Sequence, residues 1–394
     1  MKKSLSYVLC SLLTAAIVFG VTSFAFLQRE APKEAPSSDA AYLEKVSEIV
    51  ALLDEKYVDG FDESVLGDYL GAATVSATGD RWSYYISAGD FAAYKEQNDN
   101  AYVGVGITIE LANEDDPGFT IVSVSKNSPA QAAGIENGDM LVAVEGQRIV
   151  DLGMEAAKNM VRGEEGTDVS LTISRSGEEF DVTITREMIE IEIVAYQLLE
   201  SGDGYIKINN FDSNCARDTL AAIEDLRGQG AKALIFDLRF NPGGMKHELL
   251  QILDYLLPEG PLFRSVDYLG KEEVDYSDEN YLDMPMAVII NEDSYSAAEF
   301  FAAALQEYEA GVVIGTQTVG KANYQQTFML SDGSAVAVST GHYQTPNGVS
   351  LVDIGVTPDE LVEVDEQTYL DLYYEKVELA DDAQLQAAIA ALSK

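Results

Sequence analysis

The chain has 394 residues, 47% of them apolar, with 67 acidic against 25 basic side chains and a formal net charge of −42. That length has room for two or three domains and a sizeable core, and the composition excludes a disordered chain. The negative field repels phosphate backbones and so excludes nucleic-acid binding; its ordinary use is a soluble surface.

The chain opens MKKSLSYVLC, and the two lysines precede an apolar run from Leu5 to Leu27. A charged start and an apolar core make an export signal, and this one is long enough to span a bilayer. Residues 1–27 are expected to be a single-pass signal anchor in the cell membrane with the bulk of the chain outside the cytoplasm. Ser23 and Ala25 fit a small-x-small cleavage site, which leaves a cleaved, secreted form open. Residues 28–39 read as a polar, proline-containing linker.

Residues 40–100 read as a helical region. Leu43, Val46, Val50, Leu53 and Tyr57 recur at helical spacing, and short helices are expected over 61–97 around GDRWSYYISAGDF. Its Trp82, the only tryptophan, is expected in core packing.

From Ala101 the period becomes two. YVGVGITIE and FTIVSVS alternate like strands, and DVSLTISRSGEEFDVTITRE reads as a hairpin turning near Ser176-Gly177, with Val169, Leu171 and Ile173 opposite Phe180, Val182 and Ile184. Residues 101–187 are therefore expected to form a small β-rich domain. Over 188–394, strand-like YIKI, ALIFDLR, MAVIIN and VVIG alternate with helical stretches, which predicts an α/β core closed by a β-rich tail and a last helix. The fold class is α+β multidomain.

Three loops follow buried strands in that core, and strand ends are where sites assemble in α/β sheets. ALIFDLR leads to FNPGGM, MAVIIN to EDSYSAAE, and VVIG to TQTVGKANYQQ. Ser296 with Glu299 fits a capping box, the commonest role for a serine at a helix start. A helix start also offers free N–H groups to an oxyanion. As a nucleophile, Ser296 needs a base. The chain's two histidines, His247 and His342, sit in less suitable loops than Lys321, and a desolvated, neutral lysine can serve. The histidines form no HExxH pair, and Cys10 lies in the apolar run, leaving Cys215 unpaired. No metal and no cofactor is expected.

Taken together, DLRFNPGG (237–244), NEDSYSAAE (291–299) and GKANYQ (320–325) resemble the motifs of the carboxyl-terminal processing peptidases, or tail-specific proteases. GDRWSYYIS resembles another segment of that family, from which it departs at Arg81-Trp82. The resemblance implies a crotonase/ClpP-like α/β core with Ser296 as nucleophile, Lys321 as base and Gln325 orienting the lysine. It also implies an oxyanion hole from the amides of Ala297 and one of Gly243 or Gly244. The β-rich module resembles a PDZ domain, with Gly104, Val105, Gly106 and Ile107 as the loop that grips a peptide's C-terminal carboxylate. Protein or peptide substrates with apolar tails follow, and the sequence leaves a homo-oligomer open. The chain departs from the family at Tyr295, where a small residue is usual, and at Ala322, Asn323 and Tyr324. Two rival readings stand beside the protease: an anchored PDZ scaffold whose protease domain is catalytically impaired, and a crotonase-like enzyme, which lacks a recognisable CoA-binding signal.

Overall fold

The computed structural model of the chain describes residues 41–59, 62, 65–111, 117–149 and 151–393. The expected anchor (1–27) and linker (28–39) lie outside the described residues. Among the described residues no helix is long and apolar enough to cross a membrane. The chain forms two units, Met1–Tyr69 and Leu70–Lys394. In the first, Leu43, Val46, Val50 and Leu53 lie on a helix at Ala41–Lys56, none of whose residues is buried, and Tyr57 follows its end.

In the second unit, alternating residues build an antiparallel sheet in chain order from Ile107–Glu110, Phe119–Val124, Met140–Val144, Asp168–Arg175 and Glu178–Thr185. The predicted hairpin pairs Val169 with Ile184, Leu171 with Val182 and Ile173 with Phe180. Its turn needs two residues at positive φ, and Ser176 (54°) and Gly177 (88°) supply them. Ile121, Leu141, Val144, Ile149, Val169 and Leu171 fill a core under this sheet. A two-stranded ribbon, Ala101–Gly104 against Glu187–Glu190, joins the module's entry to its exit.

The mostly parallel sheet of the α/β core also runs in chain order: Val194–Leu198, Gly204–Ile208, Leu234–Asp237, Met286–Ile290, Gly311–Gly315 and Glu360–Leu361. All neighbours after the first pair are parallel. Alternate residues serve opposite faces, as strand geometry requires. Ile206, Phe236, Val288 and Val313 pack with the helices Cys215–Gln229, Lys246–Leu256 and Ala297–Glu307. Tyr205, Ile235, Ala287, Ile289 and Ile314 pack with Leu385 and Ala388 of the last helix, Ala383–Leu392.

Two features depart from the sequence reading. Gly260–Asp267 and Glu272–Ser277 form a strand pair that no periodicity announced, joined to Ala335–Gln344. Its residues mix charged and apolar types because much of it is half-exposed. Tyr84–Ile86, expected among helices, is a strand of the same sheet, paired with Ala335–Ala337. Three residues are too few to show a period, and the partner lies far along the chain.

Candidate active site

The strands ending at Asp237, Ile290 and Gly315 are adjacent and parallel, so their three loops meet at one edge. The first loop is anchored underneath. Arg239, buried, reaches Asp237 at 2.5 Å and Asp382, ahead of the last helix, at 2.6 Å. Burial works against the charge of both Asp237 and Arg239, but each charge holds the other: the aspartate stays below the usual carboxylate range and the guanidinium rises. Asn241, fully buried, then stitches the loops together. Its side-chain amide donates to the Ile208 carbonyl at 2.7 Å, and its main-chain carbonyl accepts the Tyr295 N–H at 3.1 Å.

The second loop carries Ser296. Ser294 Oγ accepts the Asn291 N–H at 3.0 Å and donates to the Leu238 carbonyl at 2.7 Å. Ser296 caps the helix Ala297–Glu307 at φ 59°, ψ −118°, a strained conformation for a residue with a side chain. Gly243 makes this possible. A Cβ there would lie 2.7 Å from Ser296 Cβ and 2.8 Å from the Ala297 nitrogen. Only glycine fits, and its φ of 90° suits glycine too.

Glu299 joins the second loop to the third. Its buried carboxylate accepts the main-chain N–H of Ser296 and of Lys321, both at 2.9 Å, on one oxygen. The other oxygen accepts the Gly320 N–H at 2.6 Å and the Thr318 hydroxyl at 2.5 Å. The sequence placed Glu299 only in the capping box; the structure shows that it also fixes the lysine's backbone. Burial pushes the proton affinity of Lys321 down, against the charges of Glu299 and Asp80. Its Nζ lies 4.8 Å from the centre of the Trp82 ring. Trp82 is therefore a half-buried wall of this site and not a core residue.

The structure brings Ser296, Lys321, Ala297, Gly243 and Gly244 to one place. It gives Gln325 other partners: its amide donates to the Asn323 carbonyl at 3.2 Å and Ser339 Oγ at 3.1 Å. The register of the strand Asn323–Met329 shifts between Tyr324 and Gln325, in the turn whose sequence departs from the family. The Gly243 N–H is already taken by Asn241 Oδ1 at 2.8 Å. No protein acceptor among the described residues takes the N–H of Gly244 or Ala297. Both histidines are exposed: His342 bonds Asn323 Oδ1 at 2.8 Å, and His247 Nε2 lies 3.4 Å from Glu248. Tyr343 was missed in the sequence. Its buried hydroxyl donates to the Lys321 carbonyl and interacts with Ser296. Nothing local in HYQTPNG marks it, because its partners are remote in the chain.

In the β-rich module, Gly104 pairs with Glu187 in the ribbon, Val105 and Gly106 form the turn, and Ile107 begins the edge strand. The Val105 and Gly106 carbonyls accept from Ala130 and Ser125, both at 2.9 Å. No protein acceptor among the described residues takes the N–H of either. Gly106 has φ 83°, and a Cβ there would meet Ser128 Cβ at 2.3 Å.

Comparison with known proteins adds identity to this geometry. Residues 203–362 match the model of peptidase family S41, and residues 120–175 match a PDZ domain. The carboxyl-terminal-processing protease of Synechocystis sp. is 33% identical over 297 residues, covering 74% of this chain and 68% of the relative. Carboxy-terminal processing protease CtpA of Bacillus subtilis (strain 168) is 29% identical over 379 residues, covering 94% of this chain and 80% of that protein. Among solved structures, the photosystem II D1 C-terminal processing protease is 25% identical with a TM-score of 0.46, over 81% of this chain and 86% of that one. The class is that of serine-type proteases carrying a PDZ domain. Within it, this chain belongs to the carboxyl-terminal-processing proteases of peptidase family S41.

Proposed function

We propose that the chain is an endopeptidase that cuts proteins near their C-termini with a Ser-Lys pair. Ser296 attacks the scissile carbonyl, and Lys321, neutral, takes the hydroxyl proton and returns it to the leaving amine. The amides of Ala297 and Gly244 bind the oxyanion; Gly243 contributes the space rather than a donor. The observation that carries this reading is Glu299, whose single buried carboxylate holds the backbones of both residues. Gln325 reaches the lysine only if its amide leaves Asn323 and Ser339.

The turn at 104–107 receives the substrate's terminal carboxylate on the free amides of Val105 and Gly106, and the edge strand after it accepts the peptide backbone. Residues 1–27 hold the enzyme at the membrane, outside the cytoplasm. One peptide with an apolar tail, offered as acid and as amide, tests the assignment. The acid form should be cut faster by wild type, and neither form by Ser296→Ala. Equal rates for the two forms on wild type would remove the tail-recognition role.

The second reading, an impaired PDZ scaffold, is favoured by one observation. Among the described residues no hydrogen bond joins Lys321 Nζ to Ser296 Oγ; the hydrogen bonds of Lys321 run through its main chain. Hydrolysis of casein by the full-length chain, absent in Ser296→Ala, decides between the two.

A further inference from the structure

The amine of Lys321 lies against two aromatic rings. Its Nζ is 4.8 Å from the Trp82 ring centre and 5.9 Å from that of Tyr295. The rings stack on one another at 5.9 Å with 29° between their planes. Both distances to the amine are within the range over which a ring face attracts a cation. The backbone of Trp82 is held in place by its neighbours: its main-chain N–H donates to Asp80 Oδ1 at 3.0 Å, and Ser83 Oγ donates to Asp80 Oδ2 at 2.6 Å and accepts the Ser339 N–H at 2.9 Å. Tyr295 is fixed by its N–H bond to the Asn241 carbonyl. It is also the residue that stands beside the nucleophile where the family pattern has a small side chain.

We propose that Trp82 and Tyr295 are positioning residues for the base: they hold the Lys321 ammonium by cation–π attraction in a resting place off Ser296, and the lysine works only when its side chain leaves the rings for the hydroxyl. The proposal rests on Lys321 being the base. The rings act in two opposed ways. By excluding water they disfavour the ammonium, in line with the downward push of burial on this lysine. By presenting π-faces they favour it. A leucine in place of either ring keeps much of the exclusion and removes the π-face, so the two actions separate. The other charges facing Lys321, the carboxylates of Asp80 and Glu299, stay in place through such a series, as does the Tyr343 phenol on the Lys321 carbonyl; Arg81, whose guanidinium lies 4.3 Å from the centre of the indole ring, loses that partner in Trp82→Leu and keeps it in Tyr295→Leu.

The test is a graded series in the full-length chain: wild type, Trp82→Phe, Trp82→Leu and Tyr295→Leu. The Lys321 amine is titrated by NMR with labelled lysine, assigned through Lys321→Arg, and kcat/KM is followed against pH. The lysine's titration should fall by about half to one pH unit in the leucine variants and less in Trp82→Phe. The acid limb of kcat/KM should move with it, giving roughly three- to tenfold faster turnover on the acid side. A titration and an acid limb that stay put or rise across folded variants would overturn the proposal. If Trp82→Leu fails to fold, Trp82→Phe and Tyr295→Leu carry the test. Failure of the base assignment looks different: Lys321→Ala would keep turnover while the series still moved the lysine's titration.

Discussion

The loops that carry Ser296 and Lys321 leave neighbouring strands of one sheet, yet they are held in different ways. The serine's loop is fixed on every side: by Ser294 against Leu238, by Asn241 against Tyr295, by Glu299 against the Ser296 N–H and by the bare backbone of Gly243. Such over-determination is what keeps a non-glycine residue at φ 59°. The lysine's main chain is equally fixed, by Glu299 and Tyr343, but its amine lies against ring faces and, among the described residues, has no hydrogen bond to hold it. A nucleophile must sit at a set place in front of its donors, whereas a base has to move a proton and exchange partners. On the Ser-Lys reading proposed above, that difference in task accounts for the difference in support.

The widest effect breaks the pair itself. Ser296→Ala and Lys321→Ala should each lower turnover by about 10⁴-fold or more in a fluorogenic peptide assay, with circular dichroism unchanged. His342→Ala, whose ring is exposed on Asn323, should leave most activity in the same assay. A folded His342→Ala protein without activity would place the base elsewhere.

Glu299→Ala removes the group common to both loops and leaves four donors, two of them buried and two half-buried, without an acceptor. The expected loss is about 3–5 kcal/mol of stability in urea unfolding, since each stranded donor costs about 1–3 kcal/mol and the costs do not add fully. Glu299→Gln keeps the volume and one acceptor oxygen, so it should unfold at a higher urea concentration than the alanine variant and still lose most activity. An alanine variant as stable as wild type would show that the carboxylate does not hold the loops.

Gly243→Ala sharpens the comparison on the serine's side alone. The new methyl would stand 2.7 Å from Ser296 Cβ at a φ of 90°. A cost of about 1–3 kcal/mol is expected from strain and overpacking. The fall in kcat should exceed the rise in KM, because the donors and not the peptide contacts are displaced. An equal change in both would mean that the turn serves binding.

The smallest effect concerns Asp212, in the segment behind the Gly243–Gly244 turn, where Phe211 exchanges main-chain bonds of 2.7 and 2.8 Å with Gly243 and Met245. Burial, then the charge of Glu248, raises the Asp212 carboxyl to about 7. A carboxyl raised on folding binds its proton more tightly in the native state. Its contribution to stability is therefore fully present below the unfolded value of about 4 and is lost as pH rises to 7. Asp212→Asn should gain melting temperature relative to wild type between pH 4 and 7 and gain no more above it. A constant difference across that range would contradict the assignment.

Much of this was legible in the chain. Period-two alternation and the Ser176-Gly177 turn located the hairpin with its pairing, because a half-buried strand writes its register into its own residues. Three strand-end motifs located Ser296, Lys321 and the glycine turn, because a parallel sheet delivers consecutive strand ends to one edge. Contacts made across long sequence distance were not legible. Trp82 read as a core residue and stands at the lysine, and Tyr343 and Asp382 carried no local mark. Gln325 is a different case, a local one: it read as the lysine's holder and bonds Asn323, two residues before it, and Ser339. Local sequence determines what is periodic or conformationally demanding, such as a strand face, a positive φ or a helix start. Which side chain faces the lysine's amine depends on how the 80–83 segment, the serine's loop and the strand Ala335–Gln344 pack together, and only the tertiary structure sets those distances.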